Sequence, residues 1–123
     1  MKIIINSSSM IPIYEQIMDQ IKAQITAGGL KENDVLPSVR TLAKELKISA
    51  LTVKKAYDNL EEDGYTVTVH GKGTYVAAAD TKRIREDQRR EVEKSLENAV
   101  EKGRRCKMSD EEIRELFELI MED

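Results

Sequence analysis

LPSVRTLAKELKISALTVKKAYDNLEEDGY, residues 36–65, decides the fold. Leu42, Ala43 and Leu46 form an apolar stripe at helical spacing. Ser38 stands before that stripe, where a serine oxygen can accept from backbone N–H groups otherwise left unpaired. Pro37 keeps Leu36 extended just outside the helix. Lys47 and Ile48 make a tight turn, and Ser49 caps a second helix expected over about 50–63, with Gly64 placed to end it. On the second helix Val53, Ala56, Tyr57 and Leu60 share one face. Thr52, Lys54, Lys55 and Asn59 are left to point elsewhere. Two helices in this arrangement form a helix-turn-helix, whose second helix can enter a DNA major groove by its N-terminal end. A plain helical hairpin with solvated lysines would share the same pattern.

The next residues separate the two. In YTVTVHGKGTYV, residues 65–76, the β-branched run Thr66, Val67, Thr68 and Val69 argues for a strand. Gly71, Lys72 and Gly73 supply a turn in which the backbone can take positive φ, and Thr74, Tyr75 and Val76 return as a second strand. A basic hairpin directly behind a recognition helix is a wing, suited to the phosphate backbone or the minor groove. The basic groups placed to meet DNA are Arg40, Lys54 and Lys55 of the helices and Lys72 of the wing, with Ser49 at the start of the second helix and Gly73 in the wing turn beside them.

Working outward, Tyr14, Ile17, Met18, Ile21 and Ile25 repeat at spacings of three and four, so a helix precedes the motif, with Pro12 tolerated in its first turn. Gly28 and Gly29 end it. Residues 2–5 are a short apolar run suited to an extended arm or an edge strand. The expected core is Ile17, Ile21, Ile25, Leu36, Leu42, Leu46, Ile48, Val53, Ala56, Leu60, Val67 and Val76.

Residues 77–80 look like a junction, and residues 81–103 like a long charged helix with a narrow stripe of Ile84, Val92, Leu96, Ala99 and Val100. Arg89 and Arg90 read as its solvated face. Ser109 and Glu112 have capping-box spacing at the start of a last helix carrying Ile113, Leu116, Phe117, Leu119, Ile120 and Met121. So short a helix cannot bury so many large apolar side chains on itself, and needs a partner surface, either the preceding helix or another subunit. Pairing two copies would bury them, with Leu96, Val100, Ile113, Leu116, Phe117 and Ile120 as the expected dimerisation residues.

The fold class is thus mainly α with a small β-hairpin wing. A winged helix-turn-helix domain over residues 1–77 is followed by a two-helix tail over residues 78–123. A length of 123 residues suits one compact domain with an appendage. The net charge of -3 gives no bulk basicity; of the segments 1–34, 35–76 and 77–123, with nets of -1, +1 and -3, only the middle one is positive, so DNA binding requires local clustering at Arg40, Lys44, Lys54, Lys55 and Lys72. Cys106 and His70 each stand alone, which offers neither a disulfide framework nor metal-ligand spacing. No cofactor or metal is expected, and no Gly-rich phosphate loop is present from which an enzyme's site could be assembled. With no signal-peptide pattern and no long apolar run, a cytoplasmic location without membrane contact is expected.

PIYEQI at 12–17, LPSVRTLAKEL at 36–46, TVKKAYDNLEEDGY at 52–65 and HGKGTYV at 70–76 together resemble the DNA-binding domain of GntR-family transcriptional regulators. The tail is similar to that of the YtrA subfamily, where it serves dimerisation. The resemblance implies a homodimeric repressor on double-stranded DNA with a pseudo-palindromic operator. By matching position it implies DNA contacts at Arg40 and Lys54, polar groups near phosphates at Ser38 and Thr52, and a wing tip at His70 and Gly71. Ala50 and Leu51 depart from the family pattern, which often has arginine and threonine there, so those contacts do not transfer. No residue pattern names a small-molecule effector. The competing reading is a protein-interaction adaptor that uses the winged helix and apolar tail without specific DNA binding.

Overall fold

Each serine placed before an apolar run begins a helix in the computed structural model, which describes residues 1–78 and 81–123. The order is α1 (Ile13–Thr26), α2 (Val39–Leu46), α3 (Ala50–Glu62), β1 (Thr66–Val69), β2 (Gly73–Val76), α4 (Thr81–Arg105) and α5 (Asp110–Met121). Ser38 Oγ accepts from Thr41 N, Ser49 Oγ from Leu51 N, and Ser109 forms a reciprocal capping box with Glu112. Pro12 is the N-cap of α1 rather than a first-turn residue. The junction expected at 77–80 falls in part on residues 79 and 80, outside the described residues.

Helices α1 to α4 all stop by one device. A residue with left-handed backbone follows the helix, at Gly28, Lys47, Gly64 and Lys107. After α2, Ile48 N reaches back to Ala43 O and Lys47 N to Lys44 O. The same pair of bonds follows α4, from Met108 N to Gly103 O and from Lys107 N to Arg104 O. The two lysines adopt φ of 57° and 64°, a conformation disfavoured for any residue with a Cβ. The turn between α2 and α3 is therefore specified by its hydrogen bonds and by the docking of Ile48, not by residue preference.

The chain forms two compact units, Met1–Ile84 and Arg85–Asp123. In the first, Ile17 and Ile21 of α1, Leu42 and Ala43 of α2, and Val53, Ala56, Tyr57 and Leu60 of α3 meet in one buried cluster with Leu36, Tyr65 and Val76. Ile25, Leu46, Ile48 and Ile84 pack partly buried around it. Val67 departs from expectation: it is exposed, and Thr66 is buried in its place. The register explains this. Thr66 opposes Val76 at the base of the hairpin, and both are buried there, while the residues beyond them stand clear of the core. A third segment joins the sheet edge: Val35 bridges Tyr75, with Asn33 N bonded to Val76 O and Leu36 N to Thr74 O.

The N-terminal arm is extended without belonging to a sheet. Gln16, Gln20 and Gln24, four residues apart on α1, present their amides to it in place of a neighbouring strand. Gln20 accepts from Ile4 N at 2.8 Å and donates to Ile4 O at 2.7 Å. Gln16 likewise pairs with both backbone groups of Asn6, and Gln24 donates to Lys2 O. This clamp sends Ile3 into the core.

The second unit is a helical hairpin. Gly103 lies within α4 rather than ending it, and a Cβ there would come within 2.9 Å of Ile113 Cδ1. The close approach lets α5 dock its first turn, and Arg104 to Asp110, at 3.2 Å, spans the connection.

Candidate nucleic-acid interface

The site rests on the α2–α3 pair. Tyr57, on the inner face of α3, donates its hydroxyl to Pro37 O at 2.8 Å, just ahead of the first turn of α2. Burial, and then the Glu45 carboxylate, push the Tyr57 phenol well above its ordinary pKa, so it remains a donor. The start of α2, with Ser38 and Arg40, is thereby held to the middle of α3.

Both serines proposed to meet DNA already serve as caps. Ser38 Oγ also bonds Thr41 Oγ1 at 2.8 Å. Thr52 is half-buried in the first turn of α3, whereas Ala50, Leu51, Lys54 and Lys55 are exposed. Lys54 Nζ is 2.7 Å from Asp58 Oδ2, one turn on. With both groups about 60% exposed, such a pair contributes only about 0.3–0.5 kcal/mol, and a phosphate can displace the carboxylate. Lys55 Nζ lies 4.0 Å from the centre of the Tyr14 ring, a cation–π contact that steers the lysine toward α1. Arg40 and Lys44 are exposed on α2. Asp58 and Tyr14 are the partners that motif reading missed; the four-residue spacing of Lys54 and Asp58 was the available signal.

The wing turn is an open loop. His70, Gly71 and Lys72 are exposed, and Gly71 and Gly73 have φ of 79° and 135°, values that side chains disfavour. Lys72 N bonds Val69 O to close the turn. The hairpin is braced by Thr68 Oγ1 against Thr74 Oγ1 at 3.1 Å, and tied to α3 by Glu61, which accepts from Thr68 N.

In the second unit Leu96, Leu116, Phe117 and Ile120 are exposed. Val100 and Ile113 are half-buried, Ile113 being the side chain that closes the hairpin on Gly103. Among the described residues no cluster of His, Cys, Asp and Glu is arranged to hold a metal ion, and no helix is long and apolar enough to cross a membrane.

Known proteins share this arrangement. The model of bacterial regulatory proteins, gntR family, matches residues 13–76. The HTH-type transcriptional repressor YtrA of Bacillus subtilis (strain 168) is 45% identical over 73 residues, which cover 59% of this chain and 56% of that one. The chain spans about half the length, or less, of the curated relatives it matches first. A crystal structure described as a transcriptional antiterminator from Listeria monocytogenes EGD-e has a TM-score of 0.73 at 32% identity, covering 98% of this chain and 90% of that one. The DNA-binding domain of AraR in complex with operator ORE1 has a TM-score of 0.53 at 28% identity, covering 63% of this chain and 94% of that domain.

Proposed function

Because the chain belongs to the gntR family of bacterial regulatory proteins, we propose that it is a sequence-specific, DNA-binding transcriptional regulator that acts as a homodimeric repressor. Residues 1–77 are the reading head and residues 78–123 the dimerisation tail. The N-terminal turn of α3 enters the major groove of a pseudo-palindromic operator, and the wing meets the minor groove or the phosphates beside it. Arg40 and Lys54 reach the DNA directly. Ser38, Ser49 and Thr52 hold the helix starts near the phosphates, where aligned N–H groups favour an anion. Lys55, His70 and Lys72 add positive or donor groups along the backbone path, and Gly71 and Gly73 let the wing turn approach closely. Leu96, Val100, Ile113, Leu116, Phe117 and Ile120 form the pairing surface.

The observation that carries this reading is the structural likeness to the operator-bound AraR domain, together with an exposed α3 N-terminus and an open basic wing. The chemistry is binding without bond making, which agrees with relatives named as transcriptional regulators. The test is a fluorescence-anisotropy titration of the full chain on duplexes enriched from a random library, repeated across salt. Each phosphate neutralised by a lysine or arginine contributes about -0.9 to the slope of log affinity on log salt. Enrichment of a palindromic motif with a slope of several units supports the reading. Weak, salt-independent binding without enrichment would sink it and leave an adaptor.

A further inference from the structure

Leu51 is an apolar side chain where a DNA-reading helix ordinarily presents polar ones. It is 77% exposed in the first turn of α3, beside exposed Ala50. A lone exposed leucine is ordinary on a protein surface. Its neighbours give this one its meaning, because in the unbound chain the polar side chains beside it hold intramolecular partners or, like Thr52, are half-buried. Ser49 Oγ is taken by Leu51's own N–H at 3.1 Å. Lys54 leans to Asp58, and Lys55 lies over Tyr14. Of the first-turn residues 50–53 the two exposed ones are Ala50 and Leu51, apolar and without a hydrogen-bonding atom in either side chain. In the major groove only one natural base offers an apolar group of matching size, the C5-methyl of thymine.

Resting on the DNA-binding reading above, we propose that Leu51 is a specificity-determining residue which selects a thymine in each half-site by packing against its C5-methyl. Removing that methyl leaves every hydrogen-bonding atom of the base in place, so the contact can be tested without altering pairing.

The experiment uses the full chain and the duplex enriched by selection. Each thymine is replaced in turn by deoxyuridine, and binding is compared for wild type and Leu51→Ala. The wild type should lose about fourfold in affinity at one thymine per half-site, the worth of one buried methyl-sized group. Leu51→Ala should bind thymine and uracil duplexes alike at that position, with an unchanged circular-dichroism melt because the side chain is exposed. A wild type indifferent to every uracil, or a Leu51→Ala protein as sensitive as the wild type, overturns the inference while leaving specific DNA binding intact. If no duplex is enriched at all, the DNA-binding reading itself fails and takes this inference with it.

Discussion

The two units of this chain treat their apolar residues in opposite ways. Residues 1–84 close a core: Ile17, Ile21, Val53, Ala56 and Leu60 are wholly buried. In residues 85–123 the apolar side chains of α5 stay in solvent, with Leu116 at 50% and Phe117 at 45% exposed. Only the first turn of α5 is docked, through Ile113 on Gly103. A helix of 12 residues is marginal alone, and the proposed dimer partner would cover it. The difference separates a unit with its own core from one that leaves its apolar face open. In the proposed dimer it also separates their sensitivities: substitutions in the first unit should act on folding or on DNA contact, substitutions in the second on association.

The largest expected effect breaks the association alone. Replacing Leu116 and Phe117 together by aspartate should give a monomer, because burying two unpaired carboxylates costs far more than the pairing surface returns. Joining two reading heads raises apparent affinity by about 10²–10⁴, and that factor should be lost while the head's own melt is kept. Light scattering and an operator titration on the same sample measure both. Next in size, Arg40→Ala should lower operator affinity by about 1–3 kcal/mol if its guanidinium reads a base, with dimer mass and melting unchanged. A titration across salt tells base from phosphate, since a phosphate contact shows as a shallower slope instead.

The smallest effect sharpens the comparison from the folding side. Tyr57→Phe deletes the bond to Pro37 O and should cost about 1 kcal/mol of stability in the first unit, leaving association untouched. Its pH dependence has a definite sign. The phenol's pKa is raised in the fold above its unfolded value of about 10, so the tyrosine's contribution is complete below pH ~10 and falls as pH rises beyond it. Chemical denaturation at neutral pH should show the full gap between the two proteins, and the gap should narrow above pH ~10.

Local chemistry was readable from the sequence and long-range chemistry was not. Ser38, Ser49 and the Ser109–Glu112 box announce their helices, because a cap involves residues at most three apart. The wing turn follows from Gly71 and Gly73 for the same reason. The glutamine clamp was invisible, since Gln16, Gln20 and Gln24 look like a solvated face until the arm lies across them. Val35 pairing with Tyr75 joins residues 40 apart and leaves no periodic trace. Val67 was misplaced because alternation gives a strand's two faces but not how far the core extends along it. At the site, the residue types and their helical positions were legible from the motif. The engagement of Lys54 by Asp58 and of Lys55 by Tyr14 depends on side-chain reach across a turn and between helices, which spacing alone leaves open. The boundary of the first unit lies at Ile84 because that side chain, on the first turn of α4, still packs against the core.

Comparing residues 1–84 with the full chain separates the reading head's own binding from the contribution of the proposed pairing tail. Operator affinity and mass by light scattering are measured on each at the same micromolar concentration. The 1–84 fragment should be folded and monomeric with weak, salt-dependent DNA binding, and the full chain should be a dimer that binds the operator about 10²–10⁴ times more tightly. A monomeric full chain, or a fragment that dimerises and binds the operator as tightly as the full chain, would contradict the proposed role of the tail.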